Sequence, residues 1–466
     1  MAAATAGLSN YYRFELAANA DAQTVSRELA LLPGVEQAYP QPVAVAPPTA
    51  DYVPQQGYLR AAPGGIDVDF AGTWPGSAGR GVQIFDVEYS WNAQHEDLSK
   101  ARLAGALIPF QTPFDPFNDN NHGTAVLGEL MADSNGYGVT GAAAGATLHM
   151  VNVDSVESGY SPENAIMTAA AQARPGDVIL LEQQAVGPPY VNGQGTFVPI
   201  EWIPAVYDAI RTAVAAGINV VEAGGNGGSD LDSAVYGATF PDGKPDSGAI
   251  MVGAGEACLS PAANGGRLYF SNYGQRVNLQ GWGDCVTTTG YGNLFNGGAN
   301  ALYTNSFSGT SSASPIVASA VADFVAAYTS LNGVPPPPSV VAASLIATGT
   351  PQNVAATALG GNIGPLPDLR RGLLLTDLQS PTAPSRLRAV ANAAPSVKLG
   401  WAPSRDNVGV TGYLLYRNGT QLRTVTRTSF IDRAVRHRTR YVYSLRAIDA
   451  AGHPSPASNN AVVVTR

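Results

Sequence analysis

From Gly81 onward, near-continuously apolar runs recur along the chain: GVQIFD, TLHMVNV, DVILLEQQ, INVVEAGG and AIMVGAG. Runs of this kind are strands covered on both faces. Between them lie segments with helical apolar spacing, such as SPENAIMTAAAQA and IPAVYDAIRTAVAAG. The alternation predicts a mostly parallel α/β sheet with helices on both faces. Ligands of such sheets bind beyond the carboxyl ends of the strands. At the N-terminus, YYRFELAANADAQTVSRELALLPGVEQAYPQP reads as strand, helix, strand, with Asp21 placed to cap the helix and Val25, Leu29 and Leu32 on one face. A Pro-rich linker follows. After SPTAP the pattern changes to short alternating strands split by turn residues, with Trp401, Tyr413, Tyr416, Tyr441 and Tyr443 as anchors of an all-β two-sheet sandwich. The expected division is residues 1–50, 51–378 and 379–466.

Composition sharpens that division. The 466 residues carry a formal charge of −9. Residues 381–466 hold 13 Lys+Arg against 3 Asp+Glu, a net of +10, which leaves 13 against 32, or −19, for the remainder. Opposite signs imply separate domains, and the acidic total gives no footprint for nucleic acid. The longest apolar stretch follows Ser311 and is interrupted by Asp323, so a buried core helix is expected there and no transmembrane segment. No signal peptide opens the chain. Cys258 and Cys285 are too few for a metal site; one disulfide is the economical reading, two unpaired buried thiols the other.

Three reactive side chains stand where strands end or helices begin: Asp86 closing VQIFD, His122 in NDNNHGTAVLGELMA, and Ser311 in SGTSSASP. Each alone is ordinary, a turn residue, a surface histidine and a helix cap. Together they supply a hydroxyl, an imidazole to take its proton, and a carboxylate to hold the imidazole. Their order, Asp then His then Ser, is one of three known for this arrangement. His95, His149, His437 and His453 adjoin no comparable motif.

GVQIFDVEYSWNAQHEDL, NHGTAVLGELMA, VVEAGGNGGS and FSGTSSASPIVA, taken in order, resemble the signatures of the subtilisin-like serine proteases over about residues 51 to 375. The resemblance implies Asp86 as orienter, His122 as general base and acid, Ser311 as nucleophile and Asn226 as oxyanion donor. It implies protein or peptide substrates, an acyl-enzyme and no cofactor for the chemistry. Pro315 is expected in the first turn of the helix that Ser311 opens. The rival reading is a catalytically silent relative that serves as an extracellular binding protein. The chain departs from the family in two places: Val87 and Glu88 replace the Ser or Thr and Gly that follow the aspartate, and Glu182, Gln183 and Gln184 replace Ser-Leu-Gly at the substrate edge. Glu182 is read either as a solvated rim residue or as a binder of basic or polar substrate residues. Ala223, Gly224 and Gly225 are expected to wall the pocket for the residue before the scissile bond, with Thr239 at its base.

ADSNGYGV has the length of the family's calcium loop. A structural ion there would take Asp97, Asn135 and main-chain oxygens near Asp133, Tyr137 and Val139; an ion-free turn is the alternative. The N-terminal segment resembles the second half of a subtilase propeptide, which implies a partner that inhibits the enzyme until cleavage near Pro47 to Asp51. It is too short for the whole unit, so upstream sequence and a signal peptide for secretion are expected. The C-terminal segment resembles a fibronectin type III module, an immunoglobulin-like sandwich. Its basic charge suits docking on the acidic domain, tethering to an anionic polymer or cell surface, or a solvated spacer.

Overall fold

A computed structural model describes residues 11–17, 19–41, 49–191, 194–237, 240, 246–258, 265–355, 359–391 and 396–466. Contacts divide the chain into two units, Met1–Pro48 and Thr49–Arg466. In the first, helix α1 (Ala22–Leu29) is capped by the Asp21 carboxylate, which accepts from the Gln23 and Thr24 amides. No strand flanks it among the described residues, and no residue of α1 is buried. The strand-helix-strand expectation therefore holds only for its helix.

The second unit is built on a six-stranded, wholly parallel sheet. Its strands are β1 (Gln83–Glu88), β2 (Thr147–Asn152), β3 (Val178–Leu181), β4 (Asn219–Ala223), β5 (Ile250–Gly255) and β6 (Leu279–Trp282). Their spatial order is β6-β5-β4-β3-β1-β2. Four helices cover it: α2 (Asn121–Met131), α3 (Pro162–Gln172), α4 (Pro204–Ala215) and α5 (Thr310–Asn332). Side chains of a strand alternate between faces, which produces two separate cores. Phe85, Val87, Ile179 and Leu181 pack with α3 and α4, whereas Ile84, Val178 and Leu180 pack with α2 and α5. Asp86 and Glu88 share the face of Ile84, so both point toward α2 and α5. The chain adds β2 on one side of β1 and β3 on the other, so the order reverses at β1, the place where such sheets bind ligands. Glu88 ends β1 there, and Glu182 follows β3 directly.

Helix α5 is long and apolar enough to cross a membrane by length and composition, but residues 310–327 are buried inside the protein. It is a core helix. Its serine cluster does not cap it: the N-cap is Gly309, and no side chain caps there. Pro315 is the sixth helical residue rather than part of the first turn; proline there removes the amide that would bond the Ser311 carbonyl. Cys258 and Cys285 are joined in a disulfide with a Cα–Cα distance of 5.4 Å.

Beyond Asp377 two antiparallel sheets form the sandwich. One holds β7 (Ser385–Ala391), β8 (Val397–Ala402) and β11 (Ser429–Asp432); the other holds β9 (Val410–Arg417), β10 (Thr420–Val425), β12 (Arg440–Asp449) and β13 (Ala461–Val464). Trp401, Tyr413, Tyr441 and Tyr443 fill its core as expected. Tyr416 does not: the period of two from Tyr413 puts Leu415 inside. Val408 and Ala450 of this module pack on the core beneath α2 and α5, so it is docked rather than a free spacer.

Candidate active site

The carboxyl ends of β1, β3 and β4 meet the N-termini of α2 and α5. His122, second in α2, turns its ring toward β1, and its Nδ1 lies 2.6 Å from Glu88 Oε2. The other Glu88 oxygen accepts from the Tyr89 amide at 2.7 Å. The expected orienter, Asp86, makes a different bond: its Oδ2 accepts from Trp91 Nε1 at 2.7 Å, and its Oδ1 has no partner. The reason is reach. Asp86 lies one pleat back from the strand end and is fully buried, whereas Glu88 is the last strand residue and has one more methylene.

Charge follows the same division. Burial, then the nearby Glu88, pushes the Asp86 carboxyl well above the usual range. Burial opposes a cation at His122, but Glu88, Asp86 and Asp119 together outweigh it and raise the imidazole. An edge-on contact with Phe307, 5.6 Å between ring centroids, fixes the other side of the ring.

Ser311 is 6% exposed, second in α5. Its Oγ makes a long contact, 3.5 Å to the Glu182 carbonyl oxygen, and lies close enough to the Glu182 carboxyl to lower it slightly against burial; no hydrogen bond to His122 is formed. Asn226 stands in the loop after β4. Its Oδ1 accepts from the Thr310 amide at 2.8 Å and the Thr310 hydroxyl at 3.1 Å. That pins the amide group with Nδ2 outward, and Nδ2 has no partner among the described residues. Gly309 shows where it points: a Cβ added there would lie 3.4 Å from Asn226 Nδ2 and 3.6 Å from the Ser311 amide nitrogen. Two free N–H donors thus converge on one small space beside the serine. The residue at that space is a glycine with φ of +121°, a backbone disfavoured for any side chain.

The expected substrate residues lie elsewhere than the rim. Glu182 is buried, with Oε1 accepting from Ser314 Oγ at 2.9 Å; burial, then Asp86 and Glu88, raise its carboxyl well above the usual range. The solvated reading of Glu182 is therefore corrected. Gln183 is also buried and donates to the Val87 carbonyl at 2.6 Å, tying β3 to β1. Gln184 Oε1 accepts from the Asn226 amide at 2.9 Å, so it positions that loop. Ala223 is buried, and the Gly225 amide donates to Thr310 Oγ1 at 3.1 Å. A side chain on Gly224 would meet the Val252 carbonyl at 2.7 Å, and one on Gly225 the Asn272 amide at 2.8 Å. Thr239 lies outside the described residues. Glu129, two turns below His122 in α2, is fully buried without a partner for either oxygen, and burial followed by Glu182 raises it well above the usual range. Neither Glu88 nor Glu129 stands out as a site residue from sequence alone. For Glu88 a signal was present in the two-residue spacing from Asp86.

Two open clefts lie nearby, the second including Phe307, which packs edge-on against the His122 ring. One of about 310 Å³ is lined by Ser90, Trp91, Asp115 and residues 118–121. The other, about 410 Å³, is lined by Tyr291, Asn293, Thr304, Ser306, Phe307 and Ser308.

The candidate calcium loop closes on itself. Asp97 Oδ1 accepts from Asn135 Nδ2 at 2.7 Å and Oδ2 from the Val139 amide at 2.8 Å. Asn135 Oδ1 accepts from the Tyr137 amide, and Asp133 from Ser99 and Lys100. Burial lifts Asp97 to about 7 despite the bonds from Val139 and Asn135. The side-chain oxygens of Asp97, Asp133 and Asn135 are thus met by amides, a hydroxyl and an ammonium.

Residues 108–361 match the subtilase family of peptidases. The chain belongs to that family. The matched span holds His122, Asn226 and Ser311 but begins after β1, where Asp86 and Glu88 lie. An intracellular serine protease of Paenibacillus polymyxa is 28% identical over 274 residues, 58% of this chain and 74% of that protein. Among solved structures, a protease from Pseudoalteromonas arctica is similar at 20% identity, with a TM-score of 0.49 over 71% of this chain and 99% of that one. The C-terminal module resembles one in chitinase A1 of Niallia circulans, 47% identical over 90 residues, 19% of this chain. This subtilase spans only 13% of that chitinase and 9% of exoglucanase B of Cellulomonas fimi.

Proposed function

We propose that this subtilase is a secreted serine endopeptidase whose histidine is oriented by Glu88 rather than Asp86. Ser311 Oγ attacks the scissile carbonyl while His122 Nε2 takes its proton. Glu88 holds His122 in the tautomer with the proton on Nδ1 and stabilises the imidazolium that forms. The oxyanion enters the space at Gly309 and accepts from Asn226 Nδ2 and the Ser311 amide. His122 then protonates the leaving amine, and water, deprotonated by the same imidazole, releases the acyl group from Ser311. The Ser311–His122 bond forms with substrate in place, as catalytic hydrogen bonds often tighten only in the Michaelis complex. The observation that carries this reading is the convergence of two free donors beside Ser311 next to a carboxylate-held imidazole.

Fluorophosphonate labelling of the wild type beside Ser311→Ala tests it: labelling of the wild type alone is expected, and equal labelling of both, or of neither, refutes it. The segment before Thr49 is proposed as a propeptide remnant. The Ala50 carbonyl and Tyr52 amide bond to Gly138, which would seat a mature N-terminus there; secreted protein still beginning at Met1 counts against this. The basic module is proposed to tether the enzyme to an anionic polymer or cell surface. Salt-sensitive binding lost on deleting residues 381–466 supports that role, and unchanged binding ends it.

A further inference from the structure

The geometry points to a divalent transition-metal site, suited to zinc, at the junction of the catalytic domain and the C-terminal module, formed by Asp377, Asp449 and His453. Asp377 is the last buried residue before the linker to the sandwich; Asp449 ends β12 and His453 follows in the next turn. One donor atom from each lies within 4.8 Å of the other two. Both aspartates are inside the protein, 1% and 2% exposed, yet Asp377 Oδ2, Asp449 Oδ2 and His453 Nδ1 have no hydrogen-bond partner. Buried carboxylate oxygens are costly unless a cation or donor meets them.

The remaining atoms are arranged as an outer shell. Asp377 Oδ1 accepts from the Gln379 amide at 3.1 Å and from Asn407 Nδ2 at 3.0 Å, while Asp449 Oδ1 accepts from the His453 amide at 2.8 Å. Each carboxylate is therefore held by one oxygen and presents the other inward, as ligands oriented from behind do. His453 Nδ1 lies 3.3 Å from Asp449 Oδ2, an ion pair when the imidazole is protonated but without the alignment of a hydrogen bond, whereas Asp377 Oδ2 has neither. Two ligands on a tetrahedral ion with bonds of about 2.0–2.1 Å stand about 3.3–3.4 Å apart. One imidazole with two carboxylates suits a borderline ion, whereas calcium takes six to eight oxygens. The other cluster of metal-ligand residue types among the described residues, Glu256, Cys258 and Asp284, has its sulfur committed to the disulfide. The junction site would join the end of the catalytic domain to the module and fix the orientation that Val408 and Ala450 begin.

The test is calorimetric titration of the chelator-treated full chain, in the Ser311→Ala background to prevent self-cleavage, with zinc chloride and, in a separate run, calcium chloride. One equivalent is expected to bind and to raise the melting temperature. Outer-shell partners alone are worth about 10–100-fold in affinity, so loss of the direct ligand in His453→Ala should weaken binding by about 100-fold or more. Asp449→Asn should weaken it likewise. His453 is partly exposed, so its truncation leaves the fold intact, and circular dichroism checks both variants. No uptake by the parent chain, uptake of calcium but not zinc, or zinc affinity unchanged in both folded variants overturns the site.

Discussion

Replacing Glu88 with Gln tests which carboxylate holds the catalytic imidazole. The substitution keeps the shape and lets the new amide oxygen still accept from the Tyr89 amide, now bonded to Oε1 at 2.7 Å. It places an NH2 where Oε2 meets His122 Nδ1 at 2.6 Å. Two donors cannot share that contact, so Nδ1 must become the acceptor and the proton moves to Nε2, the nitrogen that has to receive the serine proton. A wrong tautomer of this kind costs about 10⁴ in kcat, or about 5.4 kcal/mol at 1.36 kcal/mol per decade. Asp86→Asn is expected to cost less than about tenfold, because Asp86 bonds to Trp91 Nε1 rather than to His122 and Asn can still accept that bond. The assay is kcat/KM on a chromogenic peptide across pH. Glu88 is the largest of the groups that raise His122 against the opposing effect of burial. Residual activity of Glu88→Gln should therefore lose its acid limb at lower pH than the wild type. A Glu88→Gln enzyme within tenfold of wild type, beside an Asp86→Asn enzyme down by 10³ or more, would refute the assignment.

The oxyanion space makes its own prediction: Asn226→Ala should lower kcat by about 10²–10³ with KM little changed. Gly309→Ala, which both fills that space and strains a backbone at φ +121°, should do at least as much, and active-site titration will separate slow turnover from unfolding. Asp323 lies wholly buried in α5, and burial raises it to about 8 from an ordinary 3.8. Its contribution to stability is complete below about pH 4 and is lost as pH rises through 8. Asp323→Asn should therefore gain on the wild type between pH 5 and pH 9 by a few kcal/mol, since each tenfold change in proton affinity is worth ~1.4 kcal/mol; denaturant melts at both pH values read the difference. The Cys258–Cys285 bridge closes a loop 27 residues long, so the Cys258→Ser/Cys285→Ser double variant should lose about 3–4 kcal/mol in the same melts.

Much of this was legible in the sequence because it rests on local pattern. Strand runs apolar on both faces announced the parallel sheet, and the glycine-flanked motifs marked the ends of β4 and the start of α5. The disulfide, the Asp21 cap and the buried helix after Ser311 follow from residue type and spacing. What the sequence obscured was direction and reach. The family resemblance puts Glu182 and Gln183 at a substrate edge, and a charged side chain such as Glu182 usually faces water. The fold instead turns them inward, where Ser314 and the Val87 carbonyl await them. His453 looks ordinary in sequence because its partner Asp377 lies 76 positions away, on a different domain.

Motif analogy alone points to Asp86, whereas the strand's geometry puts Glu88 against the imidazole. Asp86 and Glu88 lie on one face of β1, two residues apart, and Glu182 and Glu129 lie close behind them. Four buried carboxyls in one region cannot all be ionised. Burial raises Asp86, Glu129 and Glu182 well above the usual carboxylate range. Glu88, at the strand's end, is the one in contact with an imidazole. Moving the orienting acid two residues along the strand brings it one pleat closer to α2, and the longer side chain spans the rest. The family's Ser or Thr and Gly after the aspartate cannot be kept in that arrangement, because Glu88 occupies the glycine's place. On the proposed reading the departure from the motif and the change of orienter have one cause, and an enzyme carrying Asp86→Asn should keep its proteolysis while the Glu88→Gln enzyme loses it.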